Sequence, residues 1–468
     1  MNAIIDWVAK ASSRRDFLKL GLAYGSVILV LIASHQVLRM QIVEKVYPET
    51  LALKKVKLMD HEKDIMMMMP AITTITTYKA KRIPKTFLKQ KLAQLFRKNP
   101  WLCGRILKNA TDGIHLGYPE SINNPEQISK LLKEHMQVLM DFDMPENLSY
   151  EEMLSRVEHL QVKKGNECIN KPYALLFRIT LLKIKGRDEI AVVLSMSHVL
   201  GDGHTYYKIM SMLDNTTKVT PLIVERSVNY NQEAMKLLGP TTSQWLQSPF
   251  LLLGLISCAI IRSSMNIIIV KVDNDWIARQ KVAYKQTKES LADKEKEQQP
   301  EYVSTNDIIS SWLYKESGCD FGLMSLNTRN RVPAFTEEMV GNYESSVLYP
   351  TRADCDTPGA IRLSLQRGFR SASGTAPGVL KTLNWNAALV TNWSTFYKQI
   401  DISDYSNKAP CRHIQHLPIA ETGELAVWRE GAVIFNIDAN TTGLFIATRS
   451  ITAQRIEASG IGSVLRML

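Results

Sequence analysis

The segment Ser195-Met196-Ser197-His198-Val199-Leu200-Gly201-Asp202-Gly203 joins a strand-like run to a helix-like one. Before it runs Ile190-Ala191-Val192-Val193-Leu194, apolar and β-branched enough for a buried strand. After it, Thr205 to Leu213 reads as a helix with Ile209, Met210 and Leu213 on its inner face. A histidine at a strand end, followed by a Gly-Asp-Gly turn, is held by rigid elements without being enclosed by them. A general base belongs in such a place, fixed in direction with one nitrogen open to a cleft. Asp202 is placed to hold the loop, by accepting backbone N–H groups or by pairing with an arginine elsewhere. The competing reading is a histidine packed in a core. Nine histidines occur in the chain, and it is the strand–turn–helix context that singles this one out.

A length of 468 residues predicts two or three domains at ~150 residues each, and the composition is that of a globular protein with a large core. The net charge of +11 suits nucleic acid, an anionic membrane face or a polyanionic substrate such as a nucleotide-bearing cofactor. No zinc-finger spacing or basic-aromatic repeat supports nucleic acid. The six cysteines are scattered and include no Cys-x-x-Cys pair, so they read as buried free thiols in a reducing compartment, with no metal site.

Near the N-terminus, Lys10, Arg14, Arg15 and Lys19 precede an uncharged stretch from Leu20 to Leu38. At ~1.5 Å per residue this stretch just crosses a ~30 Å hydrocarbon layer. Residues 1–40 are therefore read as a membrane anchor, with one N-terminal transmembrane helix over 20–38. The alternative is a twin-arginine export signal, since Ser13-Arg14-Arg15-Asp16-Phe17-Leu18-Lys19 fits that pattern, although Ala33-Ser34-His35-Gln36 is a poor cleavage site.

Beyond the anchor, Ala71 to Tyr78 alternates like a half-buried strand, and Pro84 opens a helix through Lys98 with Phe87, Leu88, Leu92, Leu95 and Phe96 on its apolar face. Asn99-Pro100 ends that helix, and Trp101 to Leu107 turns into a strand. Strands Ala174–Lys183 and Glu189–Met196 flank the turn Lys185-Gly186-Arg187-Asp188. The apolar run 249–261 is too short for a confident span and reads as an interfacial or buried helix. Residues 285–301 are charged and read as a solvated crossover. Ser304 to Asp307 caps a helix carrying Ile308, Ile309 and Trp312, a strand Leu323–Leu326 follows, and the C-terminal region is rich in strands, notably Ala426–Ile437 and Thr442–Thr448. The expected layout is 1–40 anchor, 41–220 N-terminal domain, 221–302 crossover and 303–468 C-terminal domain.

Taken in order, these residues resemble the BAHD acyltransferases, within the chloramphenicol-acetyltransferase-like and condensation-domain superfamily. The series begins with Asn99-Pro100-Trp101-Leu102-Cys103-Gly104-Arg105-Ile106 and continues with His198-Val199-Leu200-Gly201-Asp202-Gly203, which matches the family's HxxxDG. Asn327-Thr328-Arg329-Asn330-Arg331, with Gly341-Asn342 behind it, resembles the arginine strand and Gly-Asn of the second domain. Thr391-Asn392-Trp393 resembles the family's Thr-x-Trp segment. At the family's DFGWG position stands Asp401-Ile402-Ser403-Asp404-Tyr405, which keeps the aspartate and loses the glycines and tryptophan; Cys319-Asp320-Phe321-Gly322 is a decoy that precedes the arginine strand.

The resemblance implies a mixed α/β fold of two chloramphenicol-acetyltransferase-like domains with a channel at their interface. It implies no permanently bound cofactor, with acyl-CoA as co-substrate. His198 would be the general base, Asp202 would pair with Arg329 (Arg331 being the alternate), and Thr391 and Trp393 would flank the developing oxyanion. Gly203, Asn327 and Asp401 would support the site. For Thr391 the competing reading is a strand hydroxyl bonded to backbone. A membrane anchor suggests a lipophilic alcohol or amine as acceptor, with membrane contact through 20–38 and 249–261. The chain is then expected to be a monomer whose catalytic half faces the cytosol or plastid stroma from an endoplasmic-reticulum or plastid membrane. Alternatives are a catalytically silent lipid- or pigment-binding scaffold, a wax-ester or diacylglycerol-type enzyme, or a condensation enzyme using a carrier-protein thioester.

Overall fold

The computed structural model describes residues 53–465 apart from 110–111, 172, 261–264 and 421–428. The expected span over 20–38 lies outside the described residues. Among the described residues, no helix is long and apolar enough to cross a membrane.

Three sheets carry the strands. A five-stranded sheet runs in the order Arg412–Ile419, Ile72–Lys79, Glu189–Met196, Phe177–Ile184, Met136–Phe142. Its neighbours are antiparallel except for the last pair, which is parallel. A seven-stranded mixed sheet runs Glu344–Tyr349, Phe321–Asn327, Ala387–Asn392, Glu430–Asn436, Thr442–Thr448, Asn266–Val272, Gly462–Val464. A small sheet joins Leu53–Lys57, Gly113–Pro119 and Arg105–Asn109.

The strand Ile72–Lys79 is central, not half-buried as its alternation predicts. All its residues but the last are buried. Its threonines lie inside because each hydroxyl has a partner: Thr73 bonds Ser195 at 2.8 Å, Thr74 bonds Tyr206 at 2.7 Å and Thr76 bonds His416 Nδ1 at 2.8 Å. The helix Lys85–Lys98 follows the expected pattern, burying Leu88, Leu92, Leu95 and Phe96. The strand expected over 101–107 starts later, because Pro100–Cys103 closes a 3₁₀ turn before Arg105–Asn109.

The middle of the chain is largely helical. The charged stretch 285–301, read as a solvated crossover, is mostly exposed and is helical: the helix Asn274–Glu289 runs into it and a short helix, Asp293–Gln298, follows. Its lysines and glutamates suit an exposed helix, including an i,i+4 pair between Lys285 and Glu289. The run 249–261 forms the helix Pro249–Ile260, whose Leu251 and Leu255 are buried with Trp245, Phe321 and Trp385, while Phe250 and Leu252 are exposed.

The expected borders at 220 and 302 do not separate the sheets. Asn266–Val272, from the supposed crossover, is a strand of the seven-stranded sheet, and Arg412–Ile419, from the C-terminal part, is an edge strand of the five-stranded sheet. The two sheets share one core, in which Ile75, Leu182, Val193 and Leu417 pack with Ile267, Ile269, Phe435 and Phe445. Burying apolar faces of both sheets against each other ties the two halves into one body.

Candidate active site

The strand Glu189–Met196 is paired on both sides, so the loop that leaves it has a fixed origin. Ser197 N donates to Leu176 O at 2.7 Å and Leu200 N to Ser197 O at 2.9 Å, closing the turn that presents His198. Asp202 then caps the helix Gly203–Ser211, accepting from Thr205 N at 3.0 Å.

Asp202 also joins this loop to the second sheet. Its Oδ2 accepts from Arg329 Nη1 at 2.7 Å and from Tyr343 N at 3.1 Å, and its Oδ1 accepts from Thr205 Oγ1 at 3.0 Å. Both side chains of the ion pair are buried. Burial pushes the Asp202 carboxyl up, but the Arg329 guanidinium and the hydrogen bonds outweigh it and hold the group below the usual carboxylate value. Arg329 spends its other donors on Met339 O, Gly341 O, Thr205 Oγ1 and Asn327 Oδ1. The structure thus selects Arg329 over Arg331. Arg331 reaches Asn327 O and lies over the Phe369 ring.

His198 is oriented by Asn342, which follows a glycine in a conformation that favours glycine. At Gly341 φ is +127°, and a Cβ there would come within 2.7 Å of Arg226 Nε and 3.0 Å of Glu62 Oε1. The Asn342 amide nitrogen donates to His198 O at 2.8 Å and to Glu62 Oε1 at 3.2 Å, so its oxygen faces His198 Nδ1 at 3.0 Å. An oxygen acceptor there requires the proton on Nδ1 and leaves the Nε2 lone pair free. Burial lowers the His198 pKa, with the Asn342 bond and the charges of Asp202 and Glu62 opposing it, so the ring is neutral near pH 7. Glu62 in turn is locked by Arg226 in a second buried ion pair at 3.1 Å, and Asn342 N donates to the same carboxylate at 2.9 Å.

His198 is not sealed into a core. It lines a cavity of about 150 Å³ together with Gly203, Thr391, Trp393 and Glu344. Thr391 is the penultimate residue of the strand Ala387–Asn392, and its hydroxyl makes no hydrogen bond among the described residues, so the reading in which it bonds backbone is not realised. Trp393 is anchored by its own N–H to Ile434 O at 2.8 Å and brings its indole Nε1 against Gly203. A Cβ at position 203 would lie 2.7 Å from that nitrogen, which explains the glycine after Asp202. Asp401 stands apart from these cavity walls: its carboxylate accepts from Asn215, Ser403 and Tyr405, and so ties its loop to the 214–215 turn.

On either side of the His198 cavity lie larger ones. One of about 550 Å³ shares Met69, Ser325, Glu344 and Leu389 with it and is lined by Leu238, Leu251, Leu255 and Trp385. On the other side a small gap, sharing Gly203, Thr391 and Trp393, leads to a cavity of about 680 Å³ lined by His204, Lys208, Arg331 and Lys398. The reacting position therefore has an apolar neighbour and a basic one.

The structure brings His198, Asp202, Gly203, Arg329, Thr391 and Trp393, all named from the sequence, together around one loop and its cavity. Sequence reasoning noted Gly341-Asn342 without assigning the asparagine a role, and it missed Glu62, Arg226 and Glu344. Their sequence surroundings do not single them out: Glu62 stands in the charged run Asp60-His61-Glu62-Lys63-Asp64, and Glu344 precedes two serines.

Fold and site together define an α/β body with two large sheets, in which a histidine-bearing loop from one is clamped by an arginine and an asparagine from the other's side. This is the architecture expected of the chloramphenicol-acetyltransferase-like fold. Among solved structures the chain is similar in fold to TRI101 of F. graminearum complexed with ethyl coenzyme A. The TM-score is 0.56 at 11% identity, covering 88% of this chain and 100% of that one. TRI101 of F. graminearum with coenzyme A and deoxynivalenol matches equally well, at TM-score 0.56, 11% identity, and 88% and 99% of the two chains. TRI101 of F. sporotrichioides with coenzyme A and T-2 follows at TM-score 0.52 and 11% identity, covering 86% and 97%. No protein-family model and no curated protein sequence matches the chain.

Proposed function

We propose that this protein transfers an acyl group from acyl-CoA to the hydroxyl or amine of a lipophilic acceptor, with His198 as general base. The observation that carries the reading is the tautomer imposed by Asn342: a neutral imidazole with Nε2 free, on the wall of a cavity flanked by an apolar and a basic space. In the reaction, Nε2 takes the acceptor's proton as its oxygen or nitrogen attacks the thioester carbonyl. The C–S bond then breaks and the same proton passes to the leaving thiolate. Thr391 Oγ1 and the Trp393 indole N–H, from residues that line the cavity, would donate to the developing oxyanion. Asp202 takes no proton; its pair with Arg329 holds the loop.

The CoA phosphates suit the opening lined by Lys208, Arg331 and Lys398, because polyanions are drawn to walls of the opposite charge. The apolar space receives the acceptor or the acyl chain. The similarity in fold to TRI101 bound to coenzyme A agrees with this assignment. Membrane attachment through residues 20–38, with the catalytic body in the acyl-CoA compartment, completes the proposal and rests on the apolar run in the sequence alone. Thiol release measured with a panel of acyl-CoAs and alcohols or amines tests it: release by the wild type should fall ~10²–10⁴-fold in His198→Ala. Release unaffected by that substitution overturns it.

A further inference from the structure

The strand Glu344–Tyr349 lies at the edge of the seven-stranded sheet, directly after the residues that hold the histidine loop. Asn342 orients His198, Tyr343 N donates to Asp202, and with the next residue the chain turns a carboxyl toward the cavities. Glu344 lines both the His198 cavity and the 550 Å³ apolar one. Its carboxyl has no hydrogen-bond or ion-pair partner among the described residues. Tyr230 bonds only its backbone carbonyl. Asp64 and His61 also line the larger cavity, and no lysine or arginine lines either. In a chain of net charge +11 that exclusion runs against the composition.

We propose that Glu344 is a specificity-determining residue: it selects an acyl acceptor that carries an ammonium group on an apolar body, such as a long-chain amino alcohol or diamine, and holds that cation beside His198. The identity of the bound molecule as acceptor rests on the acyltransferase reading; the cation site does not. An unpartnered carboxyl facing an apolar space is costly unless a ligand supplies the missing donor, and an ammonium supplies charge and N–H together. Burial pushes the Glu344 carboxyl up to about 7, with Asp202 adding to the rise and His61 and Arg329 opposing it, so a cationic partner is what would restore its full ionisation. The leucines and Trp385 of the larger cavity receive the ligand's chain. Glu344 also lines the small gap toward the basic opening, so a polyphosphate is held on the far side of that gap, among Lys208, Arg331 and Lys398.

Calorimetric binding of decylamine and of decanol to the full-length protein at pH 8, without CoA, tests the site. The wild type should bind decylamine about tenfold or more tightly than decanol, as expected for a charge-assisted hydrogen bond. Glu344→Gln, which keeps the shape, should bring the two affinities together, and Glu344→Asp should keep part of the difference. Equal affinities in the wild type, or a preference that survives in Glu344→Gln, overturn the proposal. The wild-type arm alone decides the matter should the variant not fold. CoA release is scored separately with an amino alcohol and with the diol of the same length. Amine preference without release sinks the catalytic reading and leaves the cation site standing. Release without amine preference does the reverse.

Discussion

Asp202→Asn is the substitution that probes the architecture most directly. Asp202 accepts from Arg329 Nη1 at 2.7 Å, Tyr343 N at 3.1 Å, and Thr205 N and Oγ1 at 3.0 Å each. An asparagine keeps one oxygen for Thr205, but its amide nitrogen then faces two donors, one of them a buried cation. Leaving such a charge without its partner costs ~3–5 kcal/mol, whereas a neutral exchange of both partners is far milder. Equilibrium denaturation by urea should therefore show Asp202→Asn destabilised by about that amount, and Asp202→Asn/Arg329→Met should recover more than half of the loss. Because the folded pKa of Asp202 is depressed, the pair's contribution is present above the ordinary value of 3.8 and is lost as pH falls through the lowered folded one. A loss under ~1 kcal/mol, or a double variant equal to the sum of the singles, would refute the claim that this pair clamps the histidine loop to the second sheet.

Other outcomes follow from the same geometry. Asn342→Ala removes the acceptor that fixes the Nδ1 proton, so kcat for acyl transfer should fall at least ~10-fold with KM little changed, as stopped-flow thiol release would show. Thr391→Val keeps the shape and deletes the hydroxyl; a fall of ~10²–10³-fold in kcat marks it as an oxyanion donor, and an unchanged kcat removes it from that role. Burial lowers the His198 pKa, so the base form persists into mild acid, and the acidic limb of the kcat/KM profile should lie below 6.5, the ordinary histidine value. A limb above 6.5 would mean that the titrating base is another group. Gly341→Ala places a Cβ against the Glu62–Arg226 pair at a φ of +127°, and urea denaturation should register a loss of ~1–3 kcal/mol.

Much of the site was legible because its local pieces carry their own signals. A β-branched run followed by His-x-x-x-Asp-Gly announces a strand, a presented base and a helix cap within a few residues, and Asp202 does cap the helix from Gly203. Arg329 was legible only through order along the chain, since nothing local distinguishes it from Arg331; burial and the 2.7 Å contact make the distinction. The alternation over 71–78 was read as one polar face because threonine is ambiguous: inside a sheet its hydroxyl needs a partner, and those partners come from 195, 206 and 416. The helical turns within 285–301 were not legible, because composition reports solvation and not backbone conformation.

What could be read from the residues in order is local: which runs become strands, where the histidine turn sits, and the order of motifs that points to the fold. These depend on neighbours a few residues apart, where propensity and periodicity act. Tertiary structure alone decided that the strand Arg412–Ile419 joins the N-terminal sheet, that Glu62 and Arg226 brace Asn342, and that Glu344 faces the reaction cavity. Those outcomes rest on contacts between segments far apart in the chain, where sheet register and the packing of one sheet on another choose a side chain's surroundings, and no local pattern encodes that choice.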